Sequence, residues 1–218
     1  RLGPLYTPPS VATADGTYGT LMIPSSTGGP NWPGGALDPE TGIFYIYSKT
    51  QVVSLGLVNN PERSDMDFIR GRPTGVNAAR AALSVSGLPL VKPPWGRISA
   101  VDLNTGEILW QVPHGETPDN VRNHPALQGV TIPRTGRSGR IGTLITETLV
   151  VAGEAGVFTT PSGAEGAMLR AYDKTTGSNV GEVFMPAGQT GSPMSYLHQG
   201  KQYIVLAIAG GEYPGELI

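Results

Sequence analysis

A five-residue pattern, Asp-x-x-Thr-Gly, occurs three times in this chain and constrains its fold more than any other feature. The copies occupy residues 38–42, 102–106 and 173–177, so they begin 64 and 71 residues apart. The Asp carboxylate of such a pattern accepts hydrogen bonds from turn amides, and the Gly supplies a positive φ that other residues resist. The pattern therefore predicts three hairpin turns, and the long intervals predict that loops are inserted between them.

Short runs of β-branched and aromatic residues separate the turn residues and predict strands. Gly (31) and Pro (20) are so frequent among the 218 residues that few uninterrupted helical stretches remain. One exception, residues 76–83 with four Ala, is compatible with two helical turns. We therefore predict an all-β chain. The predicted strands are 17–23, 43–47, 52–55, 97–103, 108–112, 142–146, 149–152, 168–172, 183–185, 194–197 and 203–209.

The repeated turns predict four-stranded units of the β-propeller type. We expect two complete blades at about 32–113 and 142–186 and fragments of two more blades, one of them a partial unit at 190–218. Residues 113–140 are expected to form an inserted loop. Propellers close with roughly four to eight blades. Since the chain also begins at Arg1 and stops in an apolar run at Ile218, we expect it to be part of a longer protein.

Composition excludes several classes of function. The net charge of -2 argues against nucleic-acid binding, which needs a concentrated positive surface. Apolar runs fall short of the ~20 residues that cross a bilayer, so we expect membrane contact only through parts outside this chain. Cysteine is absent, which excludes disulfides and thiolate metal sites here. A hydrophobic content of 39% is too high for a disordered chain.

The second copy of the turn lies in a longer pattern, with Ala100, Gly106 and Trp110 at relative positions 1, 7 and 11. This resembles the tryptophan-docking motif of quinoprotein propellers, in which an indole packs on the Gly-containing turn of a neighbouring blade. The third copy keeps Ala171 and Gly177 but lacks the Trp. We therefore expect Trp110 to be largely buried against such a turn.

Further segments resemble the C-terminal part of the catalytic propeller of pyrroloquinoline-quinone-dependent dehydrogenases, in the membrane-type glucose, quinate and polyol branch. The resemblance covers nearly the whole chain and implies one eight-bladed domain with the quinone and a calcium ion near its axis. It also implies a periplasmic location and electron transfer to a respiratory acceptor. The segments are 5–10, 28–32, 36–42, 93–96, 191–196 and 200–205.

The resemblance implies that two segments of this chain contact the cofactor. The first holds Asn31, whose amide can both donate and accept hydrogen bonds, and Trp32. The alternative for this pair is a turn cap and packing between blades. The second holds Arg140 and Thr143. Its contact with the cofactor is expected because the guanidinium of Arg140 matches the geometry of the quinone's carboxylates. The alternative for Arg140 is ordinary solvation in a loop.

No catalytic residue or metal ligand is expected within these 218 residues. His114, His124 and His198 lack metal-ligand spacing, and Glu154 and Glu165 are isolated acids. A loop histidine such as His124 is compatible with acid–base chemistry, but ordinary hydrogen bonding is the simpler interpretation. The resemblance implies that the calcium ligands and the catalytic Asp base lie upstream of this chain.

Two functions from different classes remain. In the first, the chain is part of a quinoprotein dehydrogenase that oxidises a sugar, polyol or alcohol, and the chain alone is inactive. In the second, it is part of a non-catalytic quinoprotein-like propeller that serves as a scaffold for other proteins. A scaffold has no need of an Asn-Trp pair near the axis, so the segment at 28–32 favours the enzyme.

Overall fold

A computed structural model describes residues 1–75, 83–160 and 162–218. Apart from Leu83, the helix predicted at 76–83 lies outside the described residues. The chain divides into two compact units, one of Arg1–Gly28 with Gln51–Lys92 and one of Gly29–Thr50 with Pro93–Ile218. Strands dominate the described residues, and the all-β prediction is confirmed.

In chain order, the strands are β1 (Ser10–Val11), β2 (Thr20–Met22), β3 (Gly35–Asp38), β4 (Ile43–Lys49), β5 (Val53–Val58), β6 (Ile69–Arg70), β7 (Ser84–Val85), β8 (Leu88–Pro89), β9 (Gly96–Asp102), β10 (Glu107–Pro113), β11 (Leu144–Ile145), β12 (Leu149–Gly153), β13 (Phe158–Thr159), β14 (Glu165–Asp173), β15 (Asn179–Met185), β16 (Met194–His198), β17 (Lys201–Val205), β18 (Ala207–Gly210) and β19 (Tyr213–Leu217).

The smaller unit is built around β5, which pairs with β1 in parallel and with β2 and β6 in antiparallel orientation. Strands β7 and β8 form a separate short hairpin. The strand predicted at 52–55 is confirmed as β5, but it lies outside the four-stranded sheet that other residues of 32–113 form. The strand lies in this unit as β5, because it pairs with segments from the start of the chain rather than with β4 or β9.

The larger unit contains an antiparallel sheet in the order β10–β9–β4–β3. Its fourth strand is β3, for which the sequence analysis predicted no strand. Gly35 and a single aliphatic Leu37 gave β3 a weak strand signal. A Cβ at Gly35 would lie 2.5 Å from the Tyr45 carbonyl oxygen, so the close approach of β3 to β4 requires glycine.

A second antiparallel sheet follows in the order β11–β12–β14–β15, with β13 paired to the start of β14. The chain then forms two hairpins, β16–β17 and β18–β19. The strand predicted at 203–209 is interrupted at Leu206, whose backbone bonds with Ile218 instead of continuing the first hairpin. The exact blade extents of 32–113, 142–186 and 190–218 stay predictions.

Two hydrophobic clusters lie between these layers. The first cluster joins β4 and β9 of the first sheet to β12 and β14 of the second sheet. The second cluster joins β14 and β15 to Phe158 of β13 and to residues that follow β15. On β4 and β9 the cluster members are alternate residues, Tyr45 with Tyr47 and Ile98 with Ala100, as expected for one buried face of a sheet. The first cluster contains Tyr45, Tyr47, Ile98, Ala100, Ile141, Val150, Ala152 and Tyr172, and the second contains Phe158, Ala167, Met168, Met185, Ala187, Leu206 and Ile208.

All three predicted turns form, and each closes with a hydrogen bond from the Gly amide to the Asp carbonyl, between 2.7 and 2.9 Å. The glycines have φ between 72° and 79°. Lys174, from the third turn, connects the sheets because its ammonium lies 2.9 Å from the carboxylate of Asp38 in the first turn. This contact helps to lower the pKa of Asp38 to about 2.

Trp110 docks on the third turn. A Cβ at Gly177 would lie 2.7 Å from the indole, and the indole Nε1 donates to the Lys174 carbonyl at 3.1 Å. The predicted stacking of an indole on a glycine turn is therefore confirmed. Trp110 is mostly covered and packs against the first hydrophobic cluster, so its predicted burial on this turn is confirmed, although the side chain is not fully inside the protein. The ring covers the turn with one face and keeps another part in solvent.

The inserted segment between β10 and β11 is mostly loop, as predicted. It contains a single helical turn, α1 (Asp119–Arg122), and one turn of 3-10 helix over Pro125–Leu127. His124 caps the latter, because its ring Nδ1 accepts a hydrogen bond from the Ala126 amide at 3.2 Å. The histidine that we had weighed for acid–base work therefore has a structural contact in this loop.

Candidate functional site

Three segments that precede strands meet at one side of the larger unit. They are residues 31–33 before β3, residues 140–143 before β11, and residues 191–192 before β16; together we call them the β3–β11 edge. Ser192 donates to the Pro33 carbonyl at 3.0 Å, and a Cβ at Gly142 would collide with Ser192. The segments that hold the sequence-predicted residues Asn31 and Thr143, 112 positions apart in the chain, thus meet at Ser192.

Gln189 holds this edge together from inside and was not predicted from the sequence. Its side chain is 3% exposed and bonds with the Gly153 amide at 2.6 Å, the Gly142 carbonyl at 2.9 Å and the Gly191 carbonyl at 2.6 Å. Its amide oxygen accepts from a backbone group of β12, and its amide nitrogen donates to backbone carbonyls of the segments that precede β11 and β16. The position of residues 142 and 191 is therefore fixed by a buried side chain.

Asn31 and Trp32 lie at the entrance to β3. The side-chain oxygen of Asn31 accepts a hydrogen bond from the Trp32 amide at 2.9 Å, and its carbonyl accepts from Gly34 at 2.8 Å. The Trp32 side chain is 97% exposed, so it makes no packing contact of the kind that the alternative interpretation expected. Asn31 therefore shapes the turn that leads into β3.

Thr143 and Arg140 have different environments. Thr143 is 7% exposed and donates from its hydroxyl to the Tyr45 carbonyl at 3.0 Å, so this hydroxyl joins the two sheets. Arg140 is exposed, and its guanidinium makes no hydrogen bond or ion pair with any residue that the structure describes. Arg137, three residues before Arg140, has a different contact, with its guanidinium 4.6 Å from the centre of the Phe158 ring.

Lys49 is a second cation near this edge and was missed in the sequence. It ends β4, opposite Gly96, and its backbone amide donates to Gly29 at 3.1 Å. The residue is 7% exposed, and its ammonium, which makes no hydrogen bond or ion pair within residues 1–75, 83–160 and 162–218, reaches solvent. Burial lowers the pKa of Lys49, and the charge of Arg140 lowers it further. Its spacing was an available signal of burial. Lys49 follows Tyr47 by two residues and Tyr45 by four, so the three side chains share one face of β4.

A buried charge cluster joins β12, β14 and β15 to the inserted loop. Arg170 is 1% exposed and pairs with Glu154, Glu182 and Glu116, the last at 2.7 Å. Glu116 also lies on a cavity of about 390 Å³, whose lining includes Arg122. One oxygen of Glu154, Oε2, has no partner among the described residues. Glu154, which the sequence suggested was isolated, is therefore part of an ion-pair network.

His114 is buried next to this cluster. Its Nε2 lies 3.0 Å from the Gly153 carbonyl, and its Nδ1 lies 2.9 Å from the Tyr172 hydroxyl. Because a carbonyl only accepts, Nε2 carries the proton and Nδ1 accepts from Tyr172. Burial lowers the pKa of His114 to about 4, so the ring is neutral at pH 7. Within the part of the chain that the structure describes, no three His, Cys, Asp or Glu side chains group as a metal site.

Comparison with known proteins supplies the family context for this surface. A family model described as "PQQ: Glucose/ethanol/alcohol dehydrogenase, beta-propeller domain" matches residues 1–204. A protein named "Probable quinate dehydrogenase (quinone)" from Xanthomonas campestris pv. juglandis is 31% identical, over 91% of this chain and 26% of its own length. Quinoprotein glucose dehydrogenase A from Acinetobacter calcoaceticus is also 31% identical, over 95% of this chain and 25% of its own length.

The fold is similar to that of a solved structure, a quinohemoprotein alcohol dehydrogenase from Pseudomonas putida HK5. The TM-score is 0.55 with 22% identity, over 92% of this chain and 24% of the other. The chain thus spans about a quarter of the length of the proteins that it matches. Among its described residues, no helix has the length and apolar character needed to cross a membrane.

Proposed function

We propose, from the premise that this chain belongs to the β-propeller family of PQQ-dependent glucose, ethanol and alcohol dehydrogenases, that it is part of an enzyme that oxidises a hydroxyl group of a sugar, polyol or alcohol. The observation that carries the proposal is the family match over residues 1–204. When bound, pyrroloquinoline quinone supplies the two-electron acceptor for this oxidation. The chain supplies part of the wall against which the cofactor is held.

The composition of the β3–β11 edge fits such a cofactor. Residues 31–33, 140–143 and 191–192 include amide, hydroxyl and guanidinium groups but no carboxylate. The quinone carries carboxylates, so an edge with a cation and without acidic side chains has the matching charge. We propose that Asn31 and Arg140 contact the cofactor and that Trp32, exposed here, forms an apolar surface beside it.

Thr143 takes a positioning role in this proposal. Its hydroxyl hydrogen is already donated to the Tyr45 carbonyl, so the side chain offers a ligand only an oxygen lone pair. The buried contact between β11 and β4 instead fixes the backbone that leads to Arg140. Thr143 thereby places the neighbouring segment, and Gln189 does the same from the other side.

The remaining parts of the proposal come from the family resemblance. The calcium ligands and the catalytic base belong to parts of the whole protein outside these 218 residues. The same holds for any membrane contact. Substrate oxidation takes place in the periplasm, and the electrons pass to a respiratory acceptor. Glucose, quinate and glycerol are the substrates to test first, because they occur in the names of the relatives.

The test uses the full-length protein freed of cofactor and titrated with pyrroloquinoline quinone in the presence of calcium. We expect Asn31→Ala to weaken binding about ten- to a hundredfold, since one or two hydrogen bonds to a charged cofactor are lost. Asn179→Ala is the matched control, because Asn179 also accepts a local backbone amide hydrogen bond but lies on exposed β15. Quenching of tryptophan fluorescence measures the affinity.

Two outcomes contradict this proposal at different levels. Equal affinity in wild type and Asn31→Ala removes Asn31 from the site but leaves the enzyme assignment standing. A full-length protein that binds no quinone and reduces no artificial electron acceptor with glucose, quinate or glycerol contradicts the enzyme assignment itself. That second result favours the scaffold.

A further inference from the structure

We propose that Gln189 is a positioning residue, whose side chain keeps residues 140–142 apart from β12 and thereby places Arg140 at the β3–β11 edge. The side chain does this by occupying a place in the sheet where β11 and β12 would otherwise bond with each other. This inference rests on the proposed function and deepens it, because it explains how a segment that continues a strand is released to meet a ligand.

The register of β11 and β12 shows where the next backbone bonds of this ladder belong. Leu144 pairs with Val151, so the same register places Gly142 opposite Gly153. In an antiparallel ladder, pairs that exchange hydrogen bonds alternate with pairs that do not. The Thr146 amide donates to the opposite strand at 2.9 Å, so every second pair counted from Thr146 exchanges bonds. The pair of Gly142 and Gly153 is therefore one whose backbone groups face each other.

At Gly153, however, both backbone groups bond with side chains. The Gly153 amide donates to Gln189 Oε1 at 2.6 Å, and Gln189 Nε2 donates to the Gly142 carbonyl at 2.9 Å. The carboxamide of Gln189 thus lies between the two groups that would form a direct bond. The Gly153 carbonyl accepts from His114 at 3.0 Å, so a second side chain takes the other bond of this pair. The β11–β12 ladder accordingly ends before residue 142.

The carboxamide fits here because residue 153 has no side chain. A Cβ at Gly153 would lie 2.7 Å from Gln189 Oε1 and 2.9 Å from Gln189 Cβ. The main chain of Gln189 is also fixed beside the end of β12, since its amide donates to the Glu154 carbonyl at 2.8 Å. A buried side chain with these bonds at both ends of its amide group holds one orientation. Gln189 is therefore a rigid spacer between the two strands.

The segment that leaves β12 is held at the edge by the same amide group. Gln189 Nε2 also donates to the Gly191 carbonyl at 2.6 Å, and the next residue, Ser192, donates to the Pro33 carbonyl at 3.0 Å. Residues 142 and 191 are thus joined to each other and to the segment before β3. A ladder that continued past Leu144 would instead draw residues 140–142 into the sheet, and Arg140 would follow β12.

The first experiment titrates the full-length apo-protein with pyrroloquinoline quinone. Gln189→Ala removes the spacer, so we expect residues 140–142 to move toward β12 and the Kd for the quinone to rise about tenfold or more. Val150→Ala, a buried truncation on β12, is the matched control. It should lower the Tm through the cavity it leaves and change the Kd by less than about twofold. Unchanged affinity in Gln189→Ala would overturn the proposal.

A second variant keeps the test valid if Gln189→Ala does not fold. Gln189→Met retains the length of the side chain and fills the same space, but it forms none of the three hydrogen bonds. We expect it to raise the Kd as well, because residues 142 and 191 are then no longer tied together. Wild-type affinity in Gln189→Met would show that these bonds do not position Arg140 and would overturn the proposal.

A double-mutant cycle shows whether Gln189 acts through Arg140. Arg140→Ala removes the guanidinium that Gln189 places, so Gln189→Ala should change the Kd by less than about twofold in the Arg140→Ala background. A protein in which Gln189 is only structural would not show this coupling. A full effect of Gln189→Ala in that background would overturn the proposal, since Gln189 would then affect the cofactor by another route.

A crystal structure of the Gln189→Ala apo-protein separates this proposal from the enzyme assignment, because it needs no quinone. We expect a direct hydrogen bond from the Gly153 amide to the Gly142 carbonyl, with residues 140–142 shifted toward β12. If this bond forms but wild type binds no quinone, the spacer role of Gln189 is supported and the enzyme assignment is contradicted. If residues 140–142 keep their wild-type position, the proposal is overturned whatever the affinity.

Discussion

At the scale of single residues, His114 shows how polar groups in this interior fix one another. The ring donates to Gly153 and accepts from Tyr172, and the second contact requires the neutral form. Protonation would place a second N–H against the Tyr172 hydroxyl and a charge in a dry environment. Burial is accordingly the main cause that lowers the pKa of His114 to about 4.

His114 should therefore make folding sensitive to mild acid. The unfolded chain binds a proton at this ring near pH 6.5, whereas the folded chain does so only near pH 4. The stability is complete above the unfolded pKa and is lost as the pH falls toward 4, by about 3 kcal/mol for that change in pKa. Urea unfolding at about pH 7.5 and about pH 4.5 measures the loss.

The variant His114→Gln separates this effect from general acid unfolding. Glutamine can still donate to a carbonyl but does not titrate, so the loss of stability between the two pH values should shrink by about 2 to 3 kcal/mol. His198→Gln, in the exposed hairpin of β16, should leave the loss as it is in wild type. An undiminished loss in His114→Gln would assign the pH dependence to other groups.

Sequence reasoning located residues of the edge but not their partners. Asn31, Trp32, Arg140 and Thr143 were identified through a family pattern, and the structure brings their segments to one edge. Lys49 and Arg170 carry no motif, because the burial of a charged side chain depends on strands far away in sequence. Arg170, for example, meets a Glu116 that lies 54 residues earlier. Such contacts are properties of the folded sheet and leave no local pattern.

At the scale of elements, the glycine turns join one sheet to the next. The third turn receives the indole of Trp110 and presents the Lys174 carbonyl, which accepts from both Trp110 and the Tyr45 hydroxyl, at 3.1 and 3.2 Å. The first turn receives the Lys174 ammonium. A turn that was predicted for its backbone geometry therefore also provides the contact surface between sheets.

Two glycines allow these roles to be measured separately. Gly106 and Gly177 have similar positive φ values of 79° and 72°, so alanine should cost about 1–2 kcal/mol of backbone strain at either position. A Cβ meets nothing within 4 Å at Gly106 but collides with Trp110 at Gly177. We expect Gly177→Ala to destabilise the protein by a further ~1–3 kcal/mol, measured by urea unfolding.

Combining Gly177→Ala with Trp110→Ala completes this test. Removing the indole removes the collision, so the extra cost of Gly177→Ala over Gly106→Ala should disappear in the Trp110→Ala background. If the extra cost persists there, the indole is not its source and the docking contact contributes little. The same series also measures what a partly exposed Trp110 contributes, which we expect to be less than full burial of an indole would give.

The strands themselves were predictable in proportion to their length and composition. Long, β-branched or aromatic strands such as β4, β9 and β14 overlap the predicted ones. The two-residue strands β1, β6 and β13 were missed, because two residues cannot show an alternating pattern. Strand β3 was missed because Gly35 weakens its strand pattern, although the close approach of β3 to β4 requires that glycine.

At the scale of the whole molecule, the chain leaves the first sheet after β4 and returns to it at β9. The segment Gln51–Lys92 between these strands belongs to the smaller unit. The two ends of the excursion are adjacent, since the Thr50 amide donates to the Trp95 carbonyl at 2.9 Å. Sequence analysis placed this segment inside the first blade, because an inserted unit made of strands has the same local signals as a blade strand. Only the pairing of β5 with β1 and β2 reveals the insertion.

This connection predicts that the larger unit keeps its fold when the excursion is shortened. We expect a full-length variant with Gly-Ser residues in place of 51–92 to retain slow hydrogen exchange in β4, β9 and β14. A shorter loop costs less entropy to close, by about 0.6 kcal/mol for each halving of its length. Residues 1–28, by contrast, should become sensitive to proteases, because β1 and β2 pair only with β5 among the described strands. A control that replaces only residues 59–67 keeps β5 and its pairings, and should leave 1–28 protected. Loss of protection in β4 and β9 of the first variant would show that the larger unit depends on the excursion for its stability, and would contradict its description as a separate compact unit.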